Sequence, residues 1–248
     1  MRLKDQVIVV TGAGRGIGEA IAARCAAEGA RVVLWDVLQD AAEAAAARIA
    51  TASPGARVVP CAVNVADSAG VAEAAGLVLA RHGRIDGLVN NAGIIRDAQL
   101  HKMSLEQWDQ VIAVNLSGVF HATRAFAPQF VEQKSGAIVN ISSIVGLYGN
   151  FGQTNYAAAK AGVIGMTRTW ARELGRKGVR ANAICPGFVA TPILDTMPEK
   201  LIAAMQDEVP LGRMGRPEEV AAACAFLLSD EASYINGVAL EVAGGLTL

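Results

Sequence analysis

A tyrosine and a lysine in the second half of the chain have the types and spacing of an acid/base site. Tyr156 and Lys160 are four residues apart, in a segment whose helical pattern begins near Thr154. Residues four apart lie on one face of a helix, which would place the ammonium group beside the phenol. A nearby positive charge favours the phenolate, so we expect it to lower the pKa of Tyr156 toward working pH. The pair therefore predicts a residue that gives or takes a proton.

A glycine-rich turn near the amino terminus has the pattern of a dinucleotide-binding loop. An apolar run at 7–10 leads into T-G-A-G-R-G-I-G at 11–18, and a helical pattern follows at 19–28. Glycines permit a tight turn that brings backbone N–H groups and a helix dipole close to a pyrophosphate. An acidic residue about 20 positions further on completes the fingerprint. The residues expected to contact the cofactor here are Gly12, Arg15, Gly16, Ile17, Gly18 and Asp36.

Asp36 and Arg15 give opposing indications about which cofactor binds. A carboxylate at the end of the second strand accepts hydrogen bonds from ribose hydroxyls and repels a 2′-phosphate, which favours NAD(H). An arginine in the loop is able to pair with that phosphate, but it is equally consistent with a solvated surface charge. Because a fixed like charge beside the phosphate carries the larger penalty, we expect NAD(H) to be preferred, with NADP(H) as the alternative.

Short β-branched runs alternate with helical patterns along the whole chain. Apolar strands that alternate with helices are typical of a parallel sheet covered on both faces. The sequence therefore predicts a single α/β domain over 1–248, doubly wound, with a seven-stranded parallel sheet flanked by helices. An alanine-rich stretch at 40–52 is expected to be a surface helix. The expected strands are 7–10, 31–35, 57–63, 85–89, 137–141, 179–184 and 238–242.

The composition argues against several classes of protein. A net charge of −1 and a pI near 6.3 give no basic field that would hold nucleic acid or an anionic membrane. No apolar run approaches the roughly 20 residues of a membrane-spanning helix, and residues 1–6 lack a signal-peptide pattern, so we expect a cytoplasmic protein. The four cysteines are widely spaced and the three histidines lack ligand spacing. This predicts buried, free thiols and no metal site.

The ordered set of motifs resembles the short-chain dehydrogenase/reductase family. The resemblance rests on the glycine loop, N-N-A-G at 90–93, Ser143 followed by Tyr156 and Lys160, and P-G at 186–187, and it covers essentially the whole chain. Each residue has an ordinary alternative, such as a serine that caps a turn, a packed tyrosine or a solvated lysine. Taken together they favour a catalytic site. The resemblance implies a Rossmann domain that moves a hydride between a nicotinamide cofactor and a carbonyl or alcohol.

The resemblance also implies a role for each catalytic position. Tyr156 would be the general acid in reduction and the base in oxidation, and Ser143 would hydrogen-bond the substrate oxygen. Lys160 would bind the nicotinamide ribose and stabilise the tyrosinate, and Asn115 would link that lysine through water to a proton relay. At position 64 many relatives have aspartate, so the asparagine here is a departure. Further cofactor contacts are implied at Asn64, Val65, Asn90, Gly93, Pro186, Gly187, Val189 and Thr191.

Part of the chain is similar to the bacterial 3-oxoacyl-[acyl carrier protein] reductases in particular, through segments 149–162, 210–215 and 234–237. This similarity implies reduction of 3-oxoacyl thioesters, with an acyl carrier protein as a candidate partner. Asp36 is a departure, because those reductases mostly use NADPH. It leaves open an NAD-dependent dehydrogenase of a secondary alcohol, sugar or steroid. A more remote alternative is a dinucleotide-sensing regulator without turnover.

The helical segment 156–174 carries small or apolar residues on more than one face. One face would pack on the sheet and another would meet a partner subunit, so we expect a homotetramer, as the resemblance also implies. Substrate is expected to enter between segment 146–153 and a lid-like segment at 191–209. Both lie outside the carboxyl ends of the strands, where open α/β sheets bind their ligands.

Overall fold

The β-branched runs of the sequence pair into one parallel sheet. The computed structural model describes residues 1–191 and 199–248, and it places strands at Val7–Thr11 (β1), Arg31–Asp36 (β2), Arg57–Ala62 (β3), Gly87–Asn90 (β4), Gly136–Ile141 (β5), Val179–Pro186 (β6) and Ala239–Val242 (β7). Within those residues the strand order is β3-β2-β1-β4-β5-β6-β7, and every neighbouring pair is parallel. The predicted fold class is confirmed. The boundaries shift by a few residues; β4, for example, begins at Gly87 instead of 85.

Helices connect consecutive strands and cover both faces of the sheet. They are α1 (Gly16–Ala27), α2 (Gln39–Ala52), α3 (Ser68–His82), α4 (Leu105–Ile112), α5 (Gly118–Gln133), α6 (Val145–Tyr148), α7 (Thr154–Gly175), α8 (Glu199–Asp207) and α9 (Pro217–Leu228). The predicted surface helix at 40–52 is α2, which exposes most of its polar side chains. Helices between parallel strands are the expected crossover connections of a doubly wound sheet.

The central strand β1 divides the hydrophobic core into two layers. Ile8 and Val10 point to the layer formed with α1, α2 and α9, whereas Val7 and Val9 point to the layer formed with α3, α5 and α7. All four side chains are at most 1% exposed. Because successive side chains of a strand point to opposite faces, a run of apolar residues is needed when both faces are covered. Each such buried side chain contributes roughly 1.5–3 kcal/mol of hydrophobic stabilisation.

The strand order reverses between β1 and β4. From β1 the chain moves outward through β2 to β3, then crosses to the other side of β1 and continues through β4 to β7. The connections at this point leave in opposite directions and open a crevice at the carboxyl ends of β1 and β4, which is where such sheets bind ligands. The glycine-rich turn follows β1, and Ser143 follows β5. The fold therefore brings the two predicted sites to the same edge of the sheet.

The structure bears on three further expectations from the sequence. All four cysteines are free; three are buried and Cys61, on the edge strand β3, is only half-buried. Among residues 1–191 and 199–248, no helix is both long and apolar enough to cross a membrane. Of the lid-like segment 191–209, residues 192–198 lie outside the described residues. Its last residue, Val209, packs with Ile144 and Leu246 in a small apolar cluster beside Ser143.

Candidate active site

The turn between β1 and α1 is closed by contacts that glycine alone permits. Gly12 has a φ of +63°, in the left-handed region. A Cβ on Gly18 would lie 2.1 Å from the carbonyl oxygen of Gly12, far inside van der Waals contact. The absence of side chains lets α1 start directly against the turn. The amino end of α1, with its unpaired N–H groups and positive dipole, therefore lies at the crevice.

Asn91 holds this turn from the end of the neighbouring strand. Its Nδ2 donates to the carbonyl oxygens of Thr11 and Gly12, both at 3.0 Å. The Thr11 hydroxyl in turn accepts from the backbone N–H groups of Asn91 and Ala92, each at 3.0 Å. Asn90 and Gly93 were the residues predicted from the N-N-A-G motif, and Asn91 and Ala92 were not. Their role depends on β4 lying beside β1, which the sequence did not indicate.

Asp36 places a negative charge beside the glycine loop. Its Oδ2 accepts from the Gly14 N–H at 2.9 Å, and its Oδ1 accepts from the Leu38 N–H at 3.1 Å. Two backbone donors hold the carboxylate in one orientation. Arg15, the opposing indication, is exposed at the start of α1.

The crevice around these residues fits a dinucleotide cofactor. A Cβ on Gly12 would lie 2.7 Å from the Ala92 Cα, and one on Gly16 would lie 3.7 Å from the Thr191 Cγ2. The loop therefore faces the end of β4 on one side and Thr191 on the other. Because Gly12 and Gly16 have no side chains, the loop presents its backbone to this space. Ile17, at the first turn of α1, packs against the core. The loop N–H groups suit a pyrophosphate and Asp36 suits ribose hydroxyls, which is the donor and acceptor set that such a cofactor needs.

Asn115 lies in a π-helical segment, Ala113–Ser117, between α4 and α5. The side chain is fully buried; its Oδ1 accepts from the Ile94 N–H at 2.8 Å, and its Nδ2 donates to the Ile94 carbonyl oxygen at 2.9 Å. A Cβ on Gly93 would lie 3.5 Å from the Asn115 Oδ1 and 3.7 Å from the Lys160 Nζ. Three positions named from the sequence are thus brought together. π-helical turns of this kind are frequent at functional sites.

Lys160 is a buried cation with N–H groups available to a cofactor. The residue is 3% exposed, and its Nζ donates to the Ile141 carbonyl oxygen at 2.7 Å. An ammonium group has three donors, and within the described residues this is its one hydrogen bond. The remaining N–H groups suit the ribose hydroxyls of a cofactor in the crevice. Burial lowers the pKa of Lys160 to about 8.

Tyr156 has the Ser143 side chain close enough to its hydroxyl to favour the phenolate. Burial raises the pKa of Tyr156 to about 12, and Ser143 only partly opposes this. The expectation that Lys160 lowers this pKa is wrong for this structure. The Lys160 Nζ is held at the Ile141 carbonyl, 5.5 Å from the centroid of the tyrosine ring, and loss of hydration of the phenolate prevails. At neutral pH the phenol is therefore protonated, which is the form that a general acid requires.

Asn90 does not direct its side chain into the crevice. It is 2% exposed, and its Nδ2 donates to the Asn140 Oδ1 at 2.8 Å and to the Thr123 hydroxyl at 3.0 Å. The Asn140 amide continues the chain to the Thr167 hydroxyl on α7 at 2.8 Å. This network ties β4 and β5 to α5 and α7. We expected a cofactor contact, and the structure indicates a role in holding the catalytic helix to the sheet.

Two of the implied cofactor contacts, Asn64 and Val65, lie just after β3. Asn64 is exposed, and its Oδ1 accepts from the Ala66 N–H at 3.0 Å, which shapes the turn. Val65 is 6% exposed, and a Cβ on Gly118 would lie 2.7 Å from its Cγ2. The close approach fixes Val65 against the start of α5.

The remaining implied cofactor contacts lie at the end of β6 and just after it, at Pro186, Gly187, Val189 and Thr191. The Pro186 carbonyl oxygen accepts from the Ile144 N–H at 3.1 Å, and the Gly187 N–H donates to the Val242 carbonyl oxygen at 3.1 Å. Val189 forms an isolated bridge with Gly215. These bonds anchor the backbone that leads to Thr191, across the crevice from Gly16. The structure therefore brings the catalytic group and most of the predicted cofactor positions to one site.

Replacing Lys160 with methionine is expected to raise the free energy of unfolding by about 1–3 kcal/mol near neutral pH, because a buried cation is exchanged for an apolar chain of similar length. The pKa of Lys160 in the folded protein, about 8, lies below its ordinary value of 10.5. The folded state therefore disfavours the charge, and this penalty is full below pH 8 and fades as the pH rises to 10.5.

Chemical denaturation at several pH values measures the effect. The stability advantage of Lys160→Met over the wild type should shrink across that window. Lys177→Met, at an exposed position just after α7, is the matched control and should show no such trend. An advantage for Lys160→Met that stays constant with pH would contradict the assignment.

Comparisons with known proteins agree with this site. A family model described as "Enoyl-(Acyl carrier protein) reductase" matches residues 12–247. The chain is 48% identical over 248 residues to a 3-oxoacyl-[acyl-carrier-protein] reductase of Thermotoga maritima, with all of both chains covered. It is 48% identical over 255 residues to a (3R)-3-hydroxyacyl-CoA dehydrogenase of Mus musculus, covering 99% of this chain and 98% of that one.

A solved structure is similar throughout its length. It is the crystal structure of levodione reductase, which superposes with a TM-score of 0.92 at 40% identity and covers 98% of this chain and 97% of its own. The chain belongs to the short-chain dehydrogenase/reductase family and is an oxidoreductase that works with a nicotinamide cofactor.

Proposed function

We propose that this protein interconverts 3-oxoacyl and 3-hydroxyacyl thioesters, with reduction of the 3-oxo group as its main direction and NAD(H) as its preferred cofactor. The observation that carries the proposal is a Tyr156 with Ser143 and Lys160 beside it, in a chain with full-length similarity to enzymes named for both acyl carrier protein and coenzyme A thioesters. Both kinds of relative act on the same 3-oxo or 3-hydroxy thioester unit. The shared chemistry is therefore the best-supported substrate class.

The site residues divide the work of reduction. Tyr156 donates its phenolic proton to the carbonyl oxygen, which Ser143 holds by a hydrogen bond. When bound, the nicotinamide supplies the hydride. The remaining N–H groups of Lys160 would hold the nicotinamide ribose hydroxyls, and Asn115 keeps the Ile94 segment beside that lysine in place. In oxidation Tyr156 takes the proton back, which its high pKa favours.

The cofactor preference rests on Asp36. Its carboxylate lies beside the glycine loop, fixed by Gly14 and Leu38, where the adenosine ribose of a dinucleotide would lie. A 2′-phosphate would meet this negative charge at close range, and Arg15 is exposed, so it would screen that charge only weakly. NADH is therefore the cofactor that the site favours.

Replacing Asp36 with asparagine is expected to raise the ratio of kcat/KM for NADPH to that for NADH by about tenfold or more, because the amide removes the charge. The amide oxygen still accepts a backbone hydrogen bond, so the loop should keep its conformation. Initial rates with both cofactors measure the ratio. Asp40→Asn, an exposed position on α2, is the control for a change in net charge. An unchanged ratio in Asp36→Asn would contradict the role of Asp36.

Initial rates with acetoacetyl-CoA, using NADH and NADPH side by side, test the substrate class. We expect turnover, with the higher kcat/KM for NADH. Similarity to levodione reductase, a reductase named for another substrate, favours a second candidate, an NAD-dependent dehydrogenase of a secondary alcohol, sugar or steroid. Failure to reduce acetoacetyl-CoA together with turnover of such compounds would replace the first proposal with the second. A strong preference for NADPH would overturn the reading of Asp36.

We also infer a homotetramer and leave the acyl carrier to experiment. One face of α7 is buried in the domain, whereas Ala161 and Gly165 expose an opposite stripe of small residues. Leu105 on α4 is 81% exposed and Phe120 on α5 is 46% exposed. Such apolar surface supports contact with another subunit. The mass in solution by light scattering tests the assembly, and rates with acyl carrier protein against coenzyme A thioesters test the partner.

A further inference from the structure

Asp97 lies in the loop after β4 and has taken no part in the mechanism so far. Both its carboxylate oxygens accept from the Gln153 Nε2, at 3.1 and 2.9 Å. The Gln153 Oε1 accepts from the Asn150 Nδ2 at 3.0 Å. The amide of Gln153 is thus held at both ends. Gln153 is 8% exposed and immediately precedes α7, three residues before Tyr156.

Backbone contacts join the same two segments. The Ala98 N–H donates to the Gly152 carbonyl oxygen at 2.9 Å, and Ala98 forms a bridge with Gln153. The fully buried Asn155 donates from its Nδ2 to the Arg96 carbonyl oxygen at 2.9 Å. The first turn of α7 is therefore tied to the loop at 96–98 by side chains and backbone together. Tyr156 is in this turn.

The charged groups that face Tyr156 come from two elements. Lys160 lies on its own helix, with its Nζ 5.5 Å from the ring centroid. From the loop after β4, the Asp97 carboxylate raises the pKa of the phenol further. The neighbouring Arg96 is directed away, since its Nε donates to Gln110 on α4 at 3.0 Å. Cys185, at the end of β6, raises the pKa of Lys160 and does not change that of the phenol.

We propose that Asp97 is a positioning residue for Tyr156, acting through Gln153 to hold the first turn of α7 and acting through its charge to favour the proton-donating form of the phenol. The Gln153 hydrogen bond favours the ionised form of Asp97, against the effect of partial burial, which raises the pKa of that carboxyl. An ionised carboxylate near the phenol disfavours a second negative charge. This inference rests on the proposed function insofar as it assigns Tyr156 the role of general acid.

The two effects of Asp97 separate in two variants. Asp97→Asn removes the charge and keeps an oxygen that accepts from Gln153. Gln153→Ala removes the tie and keeps the charge. In Asp97→Asn the phenol should ionise at a pH about 0.5–1 unit lower than in the wild type, whose Tyr156 has a pKa of about 12, so the activity of the variant relative to the wild type should fall several-fold between about pH 10 and pH 12. The ratio should fall for both reactions. In oxidation the variant is faster than the wild type at the low end of this range, because more of its Tyr156 is tyrosinate. In reduction it is slower at the high end, because less of its Tyr156 carries the proton. In Gln153→Ala, kcat should fall about tenfold by the same factor at every pH.

The measurement is kcat against pH for reduction of acetoacetyl-CoA and of ethyl acetoacetate, a neutral ester with the same 3-oxo group, and for the reverse oxidations. Asp109→Asn, an exposed carboxylate on α4, controls for the loss of a surface charge. The near-ultraviolet absorbance of tyrosinate with saturating NAD⁺, taken as the difference from Tyr156→Phe, gives a readout without turnover. It should move to lower pH in Asp97→Asn and stay in place in Asp109→Asn.

The outcomes decide the proposal separately from the proposed function. A constant activity ratio for Asp97→Asn with no movement of the tyrosinate absorbance would show a merely structural contact and overturn it. The same pH trend in Asp109→Asn would also overturn it, because the effect would then be one of net charge. If acetoacetyl-CoA is not reduced but the ester ratio or the absorbance moves as expected, the thioester function fails and the role of Asp97 stands.

Discussion

Tyr156→Phe is expected to lower kcat by about 10²–10⁴-fold while leaving NADH binding within a factor of about two, because it removes a proton donor and keeps the ring. The hydroxyl beside Ser143 is the group lost, and the ring, with the Lys160 Nζ 5.5 Å from its centroid, remains. Stopped-flow or steady-state rates with acetoacetyl-CoA measure kcat, and quenching of protein fluorescence measures the dissociation constant of NADH.

Tyr148→Phe is the matched control for this variant. Tyr148 is 43% exposed, and its hydroxyl donates to the Glu241 carboxylate at 3.0 Å. Losing that hydroxyl should change kcat by less than about threefold. A Tyr156→Phe enzyme with wild-type kcat would mean that another group protonates the substrate oxygen. In that case the mechanism given for the site would have to be abandoned.

Gly18→Ala is expected to weaken NADH binding by about 100-fold or more and to lower the free energy of unfolding by about 1–3 kcal/mol. The added Cβ would lie 2.1 Å from the Gly12 carbonyl oxygen and 2.4 Å from the Asn91 Nδ2. Neither group can move without opening the turn, since Asn91 holds both Thr11 and Gly12. Cofactor titration and urea denaturation measure the two effects.

Gly76→Ala tests whether the loss comes from this turn. Gly76 lies within α3, and a Cβ there would meet no atom within 4 Å. Alanine should therefore stabilise the helix by roughly 0.5–1 kcal/mol and leave NADH binding unchanged. Normal NADH affinity in Gly18→Ala would indicate that the cofactor does not depend on the close approach of α1 to the loop.

The fold was predictable because each strand is locally apolar and each connection is locally helical. Residues such as Ile8 and Val9 on β1 are buried on opposite faces, so the run of apolar residues itself indicated a sheet covered on both sides. The strand order was less accessible. Nothing in the run of residues 87–90 states that β4 lies beside β1, because pairing of parallel strands depends on packing of the intervening helices.

The catalytic group was predictable for a different reason. Tyr156 and Lys160 are one helical turn apart, so local geometry alone brings them together. Asn91 and Asp97 were missed because their partners, Gly12 and Gln153, are distant in sequence. The pKa of Tyr156 was predicted in the wrong direction, since a charge four residues away is visible in the sequence and the depth of burial is not.

The pairing of β1 with β4 also bears on how the chain folds. The hydrogen bond from the Asn91 Nδ2 to Thr11 spans 80 residues of sequence, so the glycine loop emerges from the ribosome long before the residues that hold it. Closing that distance early carries a loop-entropy penalty that only later contacts offset, which places this protein among slow-folding topologies. Until β4 is made, the first strand is paired on one edge only, with β2, and nascent chains stopped before that point should be the ones that chaperones bind.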